Sequence, residues 1–163
     1  MRDAVGSTWI FGLVITFTLI FAAFLALALT YAKTYRIKNE MTAIIEKYEG
    51  LTLDDSLSNM GSISIINQYL YNNGYKATGT CEEGEYGSND LSSNTLTPTV
   101  NGEKYYYCIK YIKNEYYQCT FTFKMRVFYD FNLPVLGQIR KFTINGQTNE
   151  MYEAYFLGNL LTC

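Results

Sequence analysis

Histidine is absent from this chain, and only two prolines occur among its 163 residues. Without imidazole the commonest general base at neutral pH and the usual nitrogen ligand of zinc are both missing. No Gly-x-Ser-x-Gly elbow, phosphate-cradling glycine loop or metal-ligand cluster takes their place. The sequence therefore assigns no catalytic residue, no metal and no cofactor. Cysteine is scarce, with Cys81, Cys108, Cys119 and Cys163. A net charge of −2 gives no electrostatic reason to expect nucleic acid. Charge is missing altogether between Ala4 and Ala32.

That uncharged stretch contains an apolar run from Trp9 to Leu29, broken only by Gly12, Thr16 and Thr18. A helix rises about 1.5 Å per residue, so roughly twenty apolar residues cross a hydrocarbon core. The run predicts a single membrane pass, with Trp9, Phe11, Phe17, Phe21, Phe24 and Leu25 as its bulky side chains. A secretory signal peptide is the rival reading, and Ala26-Leu27-Ala28 imitates a cleavage site. Signal-peptide cores usually span only about 7 to 15 residues, however, and here the helical pattern continues past the run. Ile37, Met41, Ile44, Ile45 and Tyr48 recur on one helical face. One helix of about 60 Å is expected from Ser7 to Tyr48, with Gly50 as a left-handed C-terminal cap. Residues 1–32 form its tip and membrane half, and residues 33–50 an amphipathic continuation laid on a folded domain, 51–163.

Charge and cysteine disagree about orientation. Lys33, Arg36 and Lys38 follow the span, which by the positive-inside rule places the domain in the cytoplasm. Four cysteines with no C-x-x-C pair and no histidine match no zinc pattern, and disulfides in an oxidising compartment account for them more simply. The favoured topology is extracytoplasmic.

Within the domain, sixteen Tyr and ten Phe across the chain point to half-buried strands. A short helix is expected from Gly61 to Asn73, with Ile63, Ile66 and Leu70 inward, Ser62 capping it and Asn73-Gly74 ending it. Tyr75 to Cys81 reads as a strand, and residues 82–101 as an exposed, mobile loop. Its Glu82, Glu83, Glu85 and Asp90 lack the spacing of a calcium loop. From Tyr116 to Phe131 apolar and polar residues alternate, with only Phe128 breaking the polar face. Tyr105 to Ile112 precedes it, and a three-residue hairpin loop would set Ile109 opposite Cys119 and Tyr107 opposite Phe121. In that register Cys108 points away from the core and Cys119 into it, which disfavours a bridge between them. Pairing Cys81 with Cys108 and Cys119 with Cys163 is then favoured, the connectivity itself staying open. Pro134 should end the long strand. A strand follows from Ile139, running on through Asn145-Gly146 rather than turning there, and Ala154 to Leu161 forms the last segment. The fold class is α+β, a long helix whose second half packs on an antiparallel sheet.

That order resembles type IV pilin-like proteins. The block from Met125 to Met151, with its aromatic-acidic strand ending, Leu133-Pro134-Val135-Leu136-Gly137 turn and following strand, resembles the tail of TadE-like pseudopilins of tight-adherence pili. With the helix, the resemblance covers the two ends of the chain. It implies a non-enzymatic subunit of a surface filament or its assembly machinery, polymerising through the N-terminal helix. Implied partners are membrane lipid, like or related pilin subunits and a prepilin peptidase cutting between Gly6 and Ser7. Asp3 is the one acid near that point, so the glutamate usual in the family after the cut has no counterpart. A single-pass tethered binding module that never polymerises is the alternative.

Overall fold

In the computed structural model, which describes residues 2–54, 60–114, 119–133 and 137–162, a single 46-residue helix, α1 (Arg2–Lys47), dominates. At 1.5 Å per residue it is about 70 Å long. It begins before the expected Ser7 because nothing among Arg2 to Gly6 breaks a helix. Its end also differs from expectation. The left-handed residue is Glu49 (φ +51°), whereas Gly50 (φ +123°) already belongs to strand β1 (Gly50–Leu51). Glycine is required there because a Cβ would lie 2.2 Å from the Tyr155 carbonyl oxygen.

Helix α2 (Ser62–Asn72) buries Ile63, Ile66 and Leu70, the expected face, and stops at Asn73 and Gly74 (φ +61°). Ser62 does not cap it. Gly61 holds the N-cap position, and the Ser62 hydroxyl donates to Gly50 O and accepts from Thr52 N, both at 2.9 Å. The hydroxyl thus ties α2 to the segment leaving α1.

Five strands form the main sheet: β2 (Tyr86–Ser88), β3 (Thr97–Pro98), β4 (Tyr107–Asn114), β5 (Thr120–Leu133) and β6 (Gly137–Gln147), in the order β3-β2-β4-β5-β6. All its pairings are antiparallel. A second sheet sets β1 beside β7 (Ala154–Phe156) and β8 (Asn159–Leu161), and its β1–β7 pairing is parallel. That parallel pair departs from the all-antiparallel expectation, since a chain leaving α1 meets the C-terminal hairpin side by side.

The hairpin register is corrected. Tyr107 lies opposite Val127 and Ile109 opposite Met125, with Asn114 opposite Thr120 closing the ladder. The shift is an even number of residues, so each side chain keeps its expected face: Tyr107 and Ile109 are buried and Lys110 is exposed. β6 runs unbroken through Asn145-Gly146. At Gly146 a Cβ would lie 2.6 Å from Lys38 Cδ of α1, so the glycine lets helix and sheet approach closely. The expected stop at Pro134, the strand residues 115–118 and Cys163 lie outside the described residues.

Two more expectations fail because these segments join the sheet in ways that local pattern does not show. Tyr75 to Cys81 is no strand, and among the described residues its only ladder contact is a bridge from Gly79 to Tyr105. It crosses the outer face so closely that a Cβ on Gly79 would sit 2.3 Å from the Phe128 ring. Residues 82–101 are not a loose loop either, because β2 and β3 extend the sheet there and Glu85, Gly87, Ser88 and Leu96 are buried. Phe128, the apparent break in alternation, fills a second small core with Tyr105 and Cys108 beneath this crossing. The main core lies on the opposite face, where Ile37, Met41, Ile44 and Ile45 of α1 meet α2 and Phe121, Phe123, Met125 and Val127.

Candidate functional site

Helix α1 divides into two surfaces. Ile37, Met41, Ile44 and Ile45 are buried in the head and Tyr48 is half-buried beside them. In the first half, Trp9, Phe11, Phe17, Phe21, Phe24 and Leu25 are all exposed, from 46% to 76%. The window that makes this helix long and apolar enough to cross a membrane has no buried residue. A soluble head gains nothing by displaying such a surface to water, since apolar area costs about 25 cal/mol per Å² exposed. Three of its hydroxyls are satisfied within the helix: Thr16, Thr18 and Thr30 donate to Gly12 O, Val14 O and Ala26 O at 2.8–2.9 Å. Such back-bonding leaves no hydroxyl proton to desolvate in hydrocarbon. Gly6 and Ser7 lie within the helix.

Where α1 leaves the apolar stretch, a groove of about 200 Å³ opens between it and the head. Thr30, Lys33 and Thr34 form one wall, the Gly74–Ala77 segment the other, and Phe128, Tyr129 and Asp130 the floor. Tyr75 anchors this corner. Its hydroxyl accepts from Phe128 N at 2.9 Å and lies 2.6 Å from Phe128 O and 3.1 Å from Tyr106 O. It thereby serves the backbone of β5 just beyond Val127, where the ladder with β4 stops. Burial pushes the Tyr75 phenol far above its usual range, the Phe128 hydrogen bond opposes this, and the Asp130 charge adds to it.

On the outer face, the disulfide between Cys81 and Cys108, with Cα atoms 5.7 Å apart, fastens the crossing segment to β4. This is the pairing favoured from the sequence. Cys119 is also disulfide-bonded, and Cys163, its expected partner, lies outside the described residues. Beside the disulfide, Arg126 Nη2 meets Glu82 Oε1 at 2.6 Å and Glu85 Oε1 at 3.3 Å. Glu85 Oε2 in turn accepts from Glu82 N at 2.7 Å. Cys81, Glu85 and Cys108 cluster closely enough to suggest a metal site, but both sulfurs are spent in the disulfide and offer no thiolate. Asp90 accepts from Ser92 N and its hydroxyl. Glu82 and Glu85 thus serve an arginine, and Asp90 serves a turn.

The sequence marked both halves of α1. It did not mark the groove, since Asp130 read as one more residue on a polar strand face. No family model, curated protein or solved structure matches the chain.

Proposed function

We propose that this chain is a non-enzymatic, membrane-anchored subunit of the pilin-like kind, acting in a surface filament or its assembly machinery. The observation that carries this reading is the division of α1, with an apolar half free of the head and a second half embedded in it. A helix of that form rests in lipid and passes into a bundle of sister helices at little cost, because both surroundings are apolar. Close packing then decides association. Gly12, whose missing Cβ would meet nothing within 4 Å, leaves a notch for a neighbouring helix. The TadE-like character of the Met125–Met151 block supports the same reading, as does the disulfide, which suits an extracytoplasmic head.

N-terminal sequencing of the mature protein, combined with shearing of intact cells, tests it. A chain beginning at Ser7 and recovered in sheared filaments is expected. A chain that keeps the residues before Ser7 and stays in the membrane fraction after shearing would instead establish a tethered, non-polymerising module.

A further inference from the structure

Beside the disulfide, the outer face of the sheet carries more positive charge than its acids neutralise. Lys110 of β4 lies directly opposite Lys124 of β5, and Lys124 in turn lies opposite Gln147 of β6. Two residues along β5, Arg126 lies opposite Asn145. Directly opposed residues share a face, so these side chains stand together across three strands. Like charges placed opposite one another in a sheet repel, at Cβ separations of about 5 Å. Arg126 is already answered by Glu82 and Glu85. Among the described residues neither Lys110 nor Lys124 has an ion-pair or hydrogen-bond partner. The register thus brings two ammonium groups together and answers neither.

Shape supplies the second observation. A cleft of about 590 Å³ opens over these lysines, between the turn that carries Glu82 and Glu85 and the side chains of β6. The turn closes against one ammonium, since a Cβ on Gly84 would lie 3.4 Å from Lys110 Nζ. Lys110, Lys124, Asn145 and Gln147 are all exposed, so a molecule entering the cleft reaches each of them. A water takes up about 30 Å³, and a bare oxyanion would leave most of this space unfilled. The volume is that of a small-molecule site.

Charge and hydrogen bonding narrow the class of ligand. Three cations and two carboxylates line the cleft, a net charge of +1. A monoanion neutralises that charge, whereas the dianion of a phosphate monoester exceeds it. The ammonium groups only donate, but the amides of Asn145 and Gln147 both donate and accept, which suits sugar hydroxyls. A bilayer around the apolar run lies out of reach. Met125, next to Lys124, accepts from the Thr42 hydroxyl of α1 at 3.4 Å, and Thr42 stands about 20 Å along the helix from Leu29.

We infer that this cleft binds a sugar acid, its carboxylate between Lys110 and Lys124 and its hydroxyls on Asn145 and Gln147. Ammonium–carboxylate contacts relieve the repulsion that the register imposes. The outer face of the head then recognises an acidic carbohydrate, a role that goes beyond the proposed function and does not depend on polymerisation.

The test titrates the full chain in detergent with glucuronate, glucose, glucose 6-phosphate and inorganic phosphate, read by calorimetry. Glucuronate should bind about tenfold more tightly than glucose or inorganic phosphate, as a charge-assisted contact warrants, and more tightly than glucose 6-phosphate. Lys110→Gln and Lys124→Gln, both at exposed positions, should each weaken glucuronate severalfold. Their melting temperatures should hold or rise, because each removes a like-charge contact. Asn145→Ala should weaken glucuronate as well. Inorganic phosphate binding as tightly as glucuronate would mean an adventitious ion only and would overturn the inference. Tighter binding of glucose 6-phosphate would overturn it too, as would undiminished glucuronate binding in both lysine variants. A polygalacturonate held more tightly than galacturonate would identify a polymer as the source of the acid, and equal affinity a free sugar acid; either supports the site.

Discussion

At the scale of single residues, two buried phenols hold the head together. Tyr75 closes the end of the β4–β5 ladder, and Tyr107 donates to Asn67 Oδ1 at 2.8 Å, while Asn67 donates onward to Ser93 O. Tyr107 thereby joins β4 to α2 and to the 82–101 segment. Tyr75→Phe strands the Phe128 N–H, and an unsatisfied buried donor costs about 1–3 kcal/mol. The denaturation midpoint of the head, measured in the full chain, should fall accordingly. The same residues set an alkaline limit. Burial raises both phenols well above the ordinary value, with a lesser opposing contribution from the Phe128 backbone at Tyr75 and from Ser88 at Tyr107. The unfolded chain ionises first, so their contribution is intact below about pH 10 and is lost as pH rises further. Stability measured from pH 8 to pH 11.5 should decline above about 10, and less steeply in Tyr75→Phe.

At the scale of elements, α1 is one continuous rod with an exposed apolar half and a half packed on the head. On the proposed membrane-anchored reading, Phe17→Asp or Leu25→Arg would place an ion near mid-membrane at a cost of roughly 2.5–3.5 kcal/mol. Both variants should shift from the membrane fraction toward the soluble or degraded fractions, and unchanged fractionation would contradict the span. At the other end, β1 survives only because residue 50 is glycine. Gly50→Ala sets a Cβ against the Tyr155 backbone at an unfavourable φ, which should cost more than about 1 kcal/mol. Limited proteolysis should then cut first in the β7–β8 hairpin, whose parallel partner is lost.

For the whole molecule, the head is a sheet sandwiched unequally, with α1 and α2 on one face and a short crossing segment on the other. The disulfide from Cys81 to Cys108 keeps that crossing in place over Phe128. Cys81→Ser should lower head stability by about 2–4 kcal/mol, read by thermal melting. Among the described residues no cysteine is free, so alkylation of Cys81, Cys108 and Cys119 without reductant should label none. Labelling of all four thiols in freshly isolated protein would place the head in a reducing compartment.

Local pattern alone determined the long helix, its apolar and amphipathic halves, the face of α2 that is buried and the alternation of β5. Each of these follows from a periodicity that a single segment carries within itself. Parity made even the misjudged hairpin assign the right faces, since a shift by an even number of residues preserves every inward side chain. Only the tertiary structure decided the actual register, the strands within 82–101, the parallel pairing of β1 and the crossing of Tyr75 to Cys81 over Phe128. Those depend on contacts between distant segments, such as Gly79 on a phenyl ring or Gly50 on the Tyr155 backbone. The groove at Asp130 belongs with them, because it opens only where α1, the Gly74–Ala77 segment and β5 come together.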